Sequence, residues 1–79
     1  MKRVKMILSK ILEIDINEIK DDTSPKNTPT WDSFNALFIV SEMEEFFKVK
    51  FSMVDVMKVK NVGDIKKVLY KYGIKLYEE

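Results

Sequence analysis

The sequence predicts a single all-α domain, a four-helix bundle with a long first loop and a short third helix. Apolar residues recur at three- and four-residue intervals in separate stretches, which is the periodicity of amphipathic helices. Residue types that favour helix starts and helix ends stand between these stretches. With 79 residues and no cysteine, the chain has the length of one domain, 1–79, and no disulfide to stabilise it.

The first half of the chain combines a helix with a long irregular segment. Val4, Leu8 and Ile11 belong to a helical repeat that predicts a first helix over residues 2–13. The isoleucines of residues 14–19 are compatible with a strand, but no partner strand is visible, so a short helical turn is favoured. Residues 20–30 contain two prolines and no large apolar side chain, which predicts a loop.

A second helix is predicted over residues 33–47. Asp32 is a good N-cap, because its carboxylate can accept hydrogen bonds from the free N–H groups of the first turn, and Ser33 then takes the first helical position. The helical phase directs an apolar arc toward the core, consisting of Ala36, Leu37, Ile39, Val40, Met43 and Phe47. On the opposite side, Phe34 and Phe38 interrupt a polar arc of Asn35, Ser41, Glu42 and Glu45.

Two shorter helices are predicted to complete the bundle. Ser52 and Asp55 have the spacing of a capping box ahead of a short third helix, residues 53–58. Asn61 and Asp64 repeat that spacing ahead of a fourth helix, residues 62–72, and Gly73 stands where a left-handed C-cap belongs. Across the helices, the residues expected to be buried are Ile11, Leu37, Val40, Met43, Phe47, Ile65 and Leu69.

The composition argues against several functional classes. Histidine and cysteine are both absent, so the usual base for a serine nucleophile and the usual zinc ligands are missing, and neither catalysis by this chain alone nor a metal site is expected. No apolar run is long enough to span a bilayer and no signal peptide is recognisable, so a cytoplasmic protein without membrane insertion is expected. The helix of residues 33–47 carries three glutamates and no basic residue, which disfavours nucleic acid as a ligand.

Charge is distributed in blocks, although the formal net charge is only +1. Residues 1–11 hold four basic residues and no acid, residues 12–47 nine acids and two lysines, and residues 48–79 eight lysines and four acids. The acidic block contains Ser33, so a basic partner would be drawn to that side. The simpler interpretation is that these blocks are solvated faces.

The segment Asp32-Ser33-Phe34, with Leu37, Met43, Glu44-Glu45 and Phe47 behind it, resembles the acyl carrier protein family. The order of helices, the Phe51-Ser52 connector and the Asn61-Val62-Gly63-Asp64-Ile65 segment are also similar to that family. By this resemblance Ser33 matches the serine that is esterified with 4′-phosphopantetheine, and Asp32 matches the aspartate before it. The thiol of that cofactor carries an acyl or aminoacyl group as a thioester, which implies a carrier and not an enzyme.

The resemblance also implies partners: a phosphopantetheinyl transferase, a ligase that loads the acyl or aminoacyl group, and downstream synthase or transferase enzymes of lipid or secondary metabolite biosynthesis. The Trp31-Asp32-Ser33 form looks like discrete carriers of specialised pathways. A monomer is expected. Family members often have acidic residues two and five positions after the serine, where this chain has Asn35 and Phe38. We therefore predict a mixed partner-binding face of Phe34, Phe38, Ser41 and Glu45.

Two alternatives stay open at this point. Phe38 placed under the loop of residues 20–30 would be a packing residue and not a docking residue. A serine in a first helical turn is also usually structural, so a helical interaction module that never receives the arm, with Phe34 and Phe38 as its binding patch, fits the same residues.

Overall fold

The structure, a computed structural model, describes residues 2–76. Its elements in chain order are helix α1 (Lys2–Leu12), a 3₁₀ turn (Ile16–Glu18), α2 (Ser33–Phe47), α3 (Met53–Lys58) and α4 (Val62–Lys71). The predicted all-α class, the long first loop and the short third helix are confirmed. The favoured helical turn after α1 is also present, and Ile19, which follows it, is fully buried.

Side-chain chemistry near each end sets the helix boundaries. The Asn35 N–H donates to the Asp32 carboxylate at 2.8 Å, which confirms Asp32 as the N-cap of α2. Helix α1 ends one residue before the predicted boundary because Glu13 adopts a left-handed φ of 56°. Helix α4 also ends one residue early, and Gly73 follows its C-cap residue with a φ of 81°, as predicted.

One apolar core joins the helices. Its buried side chains come from α1, α2, α4 and the segments outside these helices: Val4, Leu8, Leu12, Ile19, Trp31, Ile39, Met43, Val62, Ile65, Leu69 and Leu76. Of the predicted core residues, Met43, Ile65 and Leu69 are buried. The predictions for Ile11, Val40 and Phe47 hold only in part, because these side chains are half-buried.

The prediction that Leu37 is buried is wrong, because this residue is 67% exposed. The inward direction of α2 is set by Ile39 and Met43, which are its two fully buried residues. At about 100° per residue, Leu37 lies about 120° around the helix from Met43 and only about 60° from the exposed Phe34. The buried arc of α2 is therefore narrower than the predicted apolar arc, and Leu37 belongs to the outer side of α2.

The loop between the 3₁₀ turn and α2 is held at both of its ends. Its first part accepts two hydrogen bonds from the start of α4: the Val62 N–H donates to the Thr23 carbonyl at 3.0 Å, and the Gly63 N–H donates to the Asp21 carbonyl at 2.8 Å. Its last part reaches α1, because the Thr30 hydroxyl donates to the Leu12 carbonyl at 2.6 Å. These contacts fix the direction from which the chain enters α2.

Candidate functional site

Ser33 is the first residue of α2 and its side chain is exposed. Its hydroxyl makes no hydrogen bond with any residue of the described range 2–76. The N–H groups of Ser33 and Phe34 likewise find no acceptor there, whereas the Asn35 and Ala36 N–H groups are both taken by Asp32. An exposed hydroxyl therefore stands beside two free backbone donors at the positive end of a 15-residue helix, which is a favourable setting for an anionic phosphodiester.

The segment before Ser33 is rigidly anchored. Trp31 is 5% exposed and its N–H donates to the Thr28 carbonyl at 2.9 Å. Trp31 and Ala36 occupy the two positions of a hydrophobic staple, one residue before the N-cap and four residues into the helix. The Asn35 amide donates to the Thr30 carbonyl at 2.7 Å, so this side chain supports the loop. Burial of Trp31 was not predicted, because the sequence pattern identified it only as part of the Trp-Asp-Ser segment.

An aromatic pair lies next to Ser33 on the outer side of α2. The rings of Phe34 and Phe38 meet edge to face with 5.1 Å between their centroids. Their side chains are 68% and 49% exposed, so Phe38 is not covered by the loop of residues 20–30. Ser41 and Glu45 are exposed as well, so all four residues of the predicted stripe are accessible.

The two neighbouring glutamates of α2 have different environments. The Glu44 carboxylate accepts the Phe51 N–H at 2.8 Å and is half-buried, so it stabilises the connector after α2. Glu45 is exposed and its carboxylate forms no ion pair with a basic residue in the part of the chain that the structure describes. Glu45 is therefore the member of the pair that is available to a partner.

Helix α3 adds further exposed apolar side chains to the molecule. Met53, Val54 and Met57 are each more than 60% exposed, and with Phe34, Leu37 and Phe38 they make up six of the nine large apolar side chains exposed among residues 2–76. Sequence reasoning placed Leu37 inside and left the outer face of α3 unassigned. The apolar residues of α3 flank Asp55 on both sides within six positions, which is too short a stretch to define an apolar face from sequence.

A small apolar cavity of about 90 Å³ lies between α2, α3 and α4. Its walls are formed by apolar side chains only: Trp31, Ala36, Leu37, Ile39, Val40, Met43, Phe51, Val56, Val59, Ile65, Val68 and Leu69. Walls of this kind offer apolar contacts and no charged partner, so they disfavour a charged or strongly hydrated group.

Asp55 is the only fully buried residue of α3, with 2% of its surface exposed. Its carboxylate accepts hydrogen bonds from Lys71 Nζ at 2.8 Å, Tyr72 Oη at 2.8 Å and Ser52 Oγ at 3.0 Å. The hydrogen bond from Lys71, followed by the one from Tyr72, lowers the pKa of Asp55 to about 2 against the opposing effect of burial. The same contact raises the pKa of Lys71.

The predicted capping box of α3 is therefore only half formed. The Ser52 hydroxyl accepts the Asp55 N–H at 3.2 Å, as a capping box requires. The return bond is absent, because the Ser52 N–H donates to Tyr72 Oη at 2.9 Å and the Asp55 carboxylate turns to α4. At α4, the Asp64 N–H donates to Asn61 Oδ1 at 2.8 Å, so the predicted N-cap is confirmed.

The described residues offer neither a metal-binding cluster nor a membrane-spanning helix. Among residues 2–76, no group of three or more acidic side chains is arranged so that it could hold a metal ion. Within the same residues, no helix has the length and apolar character needed to cross a membrane.

Comparison with known proteins identifies what the chain is similar to. It matches the family model described as the phosphopantetheine attachment site over residues 2–69. It is 34% identical to an acyl carrier protein of Phytoplasma mali (strain AT) over 64 residues, which cover 81% of this chain and 76% of the relative. Of the solved structures, the holo acyl carrier protein of Geobacter metallireducens has a TM-score of 0.79 and 26% identity, and the match covers 98% of this chain and 85% of that one. A candidate acyl carrier protein of Mycobacterium tuberculosis shares the fold, with a TM-score of 0.80 at 21% identity over 90% of this chain and 95% of that one.

Proposed function

Because the chain belongs to the acyl carrier protein family, we propose that Ser33 is the single residue that bears its 4′-phosphopantetheine arm. The family assignment confirms the predicted carrier function and the predicted covalent cofactor, and members of this family are carriers and not enzymes. When bound, the arm supplies the thiol that this cysteine-free chain lacks. The alternative of an interaction module without an arm is not favoured by these relatives.

The observation that carries the Ser33 proposal is its free, exposed hydroxyl at the start of α2. The other serines differ in the hydrogen bonds of the hydroxyl or in their position in the fold. The Ser9 hydroxyl donates to the Ile14 carbonyl, the Ser24 hydroxyl accepts the Lys26 N–H, and the Ser52 hydroxyl is bound to Asp55. Ser41 is exposed, but it lies in the middle of α2, where the backbone N–H groups are used by the helix itself.

Asp32 and Asn35 are proposed to act on Ser33 only through the backbone. The Asp32 carboxylate is occupied by the Asn35 N–H, and the Asn35 amide is occupied by the Thr30 carbonyl. Together these bonds hold the first turn of α2 in place, so that the hydroxyl of Ser33 is presented to an incoming transferase in a fixed position. The activation of that hydroxyl is left to the transferase, because this chain has no histidine or cysteine to act as a base.

The attachment site is tested by intact-mass measurement after incubation with coenzyme A and a broad-specificity phosphopantetheinyl transferase. We expect the mass of one phosphopantetheine group on the wild-type chain and none on Ser33→Ala. Ser41→Ala is the matched control, since it removes an exposed hydroxyl from the same helix and should be modified like the wild type. Modification that persists in Ser33→Ala would show that another residue carries the arm.

We further propose that the partner enzymes share one docking face around Ser33. These partners are the phosphopantetheinyl transferase, a ligase that supplies the acyl or aminoacyl group, and downstream synthase or transferase enzymes. Family members in general interact with phosphopantetheinyl transferases and synthase enzymes. The face consists of Phe34, Phe38, Ser41 and Glu45, which are all exposed. Its support is the aromatic pair beside Ser33, because desolvated aromatic side chains contribute more to binding than charges at the rim of an interface.

A further inference from the structure

A second surface lies between α1 and α2. The two helices run antiparallel: the last turn of α1 meets Thr30 just before α2, and the first turn of α1 places the Arg3 guanidinium 5.7 Å from the centre of the Phe46 ring. Phe46 follows Ser33 by 13 residues, which is about 20 Å along a helix that rises 1.5 Å per residue. The Phe46 end of this surface is therefore distant from Ser33, whereas Lys10 and Ile11 in the last turn of α1 extend it back along α2.

The surface is an open groove of about 460 Å³. Its lining consists of Arg3, Met6, Ile7, Lys10, Ile11, Glu42 and Phe46. Met6 and Phe46 are 48% and 45% exposed, so large apolar side chains remain in contact with water on both walls. Exposed apolar grooves of this kind mark interaction sites more often than single exposed apolar residues do, and methionine adapts readily to the shape of a partner.

Two cationic side chains, Arg3 and Lys10, line the groove, against one carboxylate, that of Glu42. Helix α1 carries Lys2, Arg3, Lys5 and Lys10 and has no acidic residue. No carboxylate within residues 2–76 forms an ion pair with any of these four side chains, whereas Lys66 and Lys71 are paired with aspartates. The positive charge at α1 is therefore available to an external anion, and it adds to the apolar attraction of the groove floor.

We propose that this groove binds an amphipathic helix of a partner protein, whose apolar stripe enters between α1 and α2 and is bordered by carboxylates. An apolar helix face in a hydrophobic groove is a recurring mode of recognition, and the cationic side chains select acidic flanks on the occupant. A bilayer surface fits less well, since the groove is concave. A partner whose contacts centre on Phe46 would leave Ser33, about 20 Å away along α2, accessible to a second enzyme.

A synthetic helical peptide tests the proposal. The acidic probe carries leucine at positions i, i+3, i+4 and i+7 with glutamate on both flanks, and the control peptide has lysine in place of each glutamate. We expect the acidic peptide to bind the full chain and to shift NMR resonances of Met6, Ile7 and Phe46. The double variant Arg3→Glu/Lys10→Glu should weaken binding more than tenfold.

A matched control separates the groove from net charge. Lys26→Glu/Lys67→Glu makes the same change in charge at two exposed lysines outside the groove and should bind within about twofold of the wild type. The proposal is overturned if the acidic peptide does not bind, if the lysine peptide binds equally well, or if both double variants weaken binding alike. It is also overturned if anionic vesicles shift the same resonances, or if the groove residues mediate concentration-dependent self-association without any peptide.

Discussion

Lys71 at the end of α4 forms an ion pair with Asp55 on the inner side of α3, with 2.8 Å between Lys71 Nζ and Asp55 Oδ1. Asp55 is the only fully buried residue of this six-residue helix, whose outer side exposes Met53, Val54 and Met57. A short helix with so little buried apolar surface gains little from packing. The contacts of Asp55 with Lys71 and Tyr72 are therefore expected to contribute strongly to the attachment of α3 to the rest of the bundle.

Replacing the Asp55 carboxylate should loosen α3 before it affects the other helices. Asp55→Asn keeps the size of the side chain but removes the charge that Lys71 and Tyr72 stabilise, so we expect a lower thermal midpoint and faster amide exchange in residues 53–58. Asp22→Asn is the control, because Asp22 is exposed and only its carbonyl is hydrogen-bonded. Equal amide exchange in α3 of both variants would mean that the Asp55 contacts do not hold this helix.

The same carboxylate makes stability depend on pH in the acid range. The folded pKa of Asp55 is about 2 and its unperturbed value is 3.8, so the stabilising effect is complete above about pH 4 and is lost as the pH falls toward 2. We expect the stability difference between the wild type and Asp55→Asn to shrink over this interval in urea unfolding measurements. A difference that stays constant from pH 6 to pH 2 would exclude a charged Asp55 as its source.

Lys71 adds the complementary dependence at alkaline pH. Its pKa is raised above 10.5 by the hydrogen bond to Asp55, so its contribution is complete below that value and is lost as the pH rises through the folded pKa. Lys71→Gln should therefore remove an alkaline loss of stability that the wild type shows. Lys67 is an exposed lysine of the same helix, so Lys67→Gln should retain the alkaline loss of stability. Absence of this pH dependence in both variants would point to general charge effects.

Truncation of Met43 should cost much more stability than truncation of Leu37, although both are apolar residues of α2. Met43 is 1% exposed, so Met43→Ala removes buried surface and should lower the free energy of unfolding by about 2–5 kcal/mol. Leu37 is mostly exposed, so Leu37→Ala should change it by no more than about 0.5 kcal/mol. Chemical denaturation of the two variants measures both values, and similar losses would contradict the outward position of Leu37.

The features predicted correctly from sequence are those that depend on neighbouring residues. The caps at Asp32 and Asn61 and the left-handed Gly73 are set within a few residues of each helix end, and the structure contains all three. Leu37 and Asp55 depend instead on which elements pack together, and neither environment was predicted. The partners of Asp55 in α4 are 16 and 17 residues away in the sequence, so capping spacing alone could not indicate its buried ion pair.

For the candidate site, the position of Ser33 followed from the cap that precedes it, but its surroundings did not. The helical phase correctly placed Phe34 and Phe38 on the outer side of α2. It gave no information on α3, because six residues are too few to define an amphipathic stripe. The anchoring of Trp31 and the use of Asn35 as a loop support also needed coordinates, since both depend on the path of the loop of residues 20–30.

Phe38 should matter for partner docking more than for folding. Its ring contacts Phe34 and is half exposed. Phe38→Ala should therefore reduce the free energy of unfolding only by about the interaction energy of one aromatic pair, about 0.5–1.5 kcal/mol. An aromatic anchor that is desolvated on docking typically contributes 2 kcal/mol or more to binding, whereas an exposed rim charge contributes less. We therefore expect kcat/KM for loading by the phosphopantetheinyl transferase to fall about tenfold or more in Phe38→Ala.

Glu45→Ala is the matched control for Phe38→Ala, because Glu45 is exposed on the same stripe of α2. Its effect on loading should be smaller and should disappear at high salt, since charges at the rim of an interface are screened. The effect of Phe38→Ala should persist at high salt, because apolar contacts are not screened. Thermal midpoint and loading rate are measured together: a large drop in midpoint with normal loading per folded molecule would assign Phe38 to stability and remove it from the docking face.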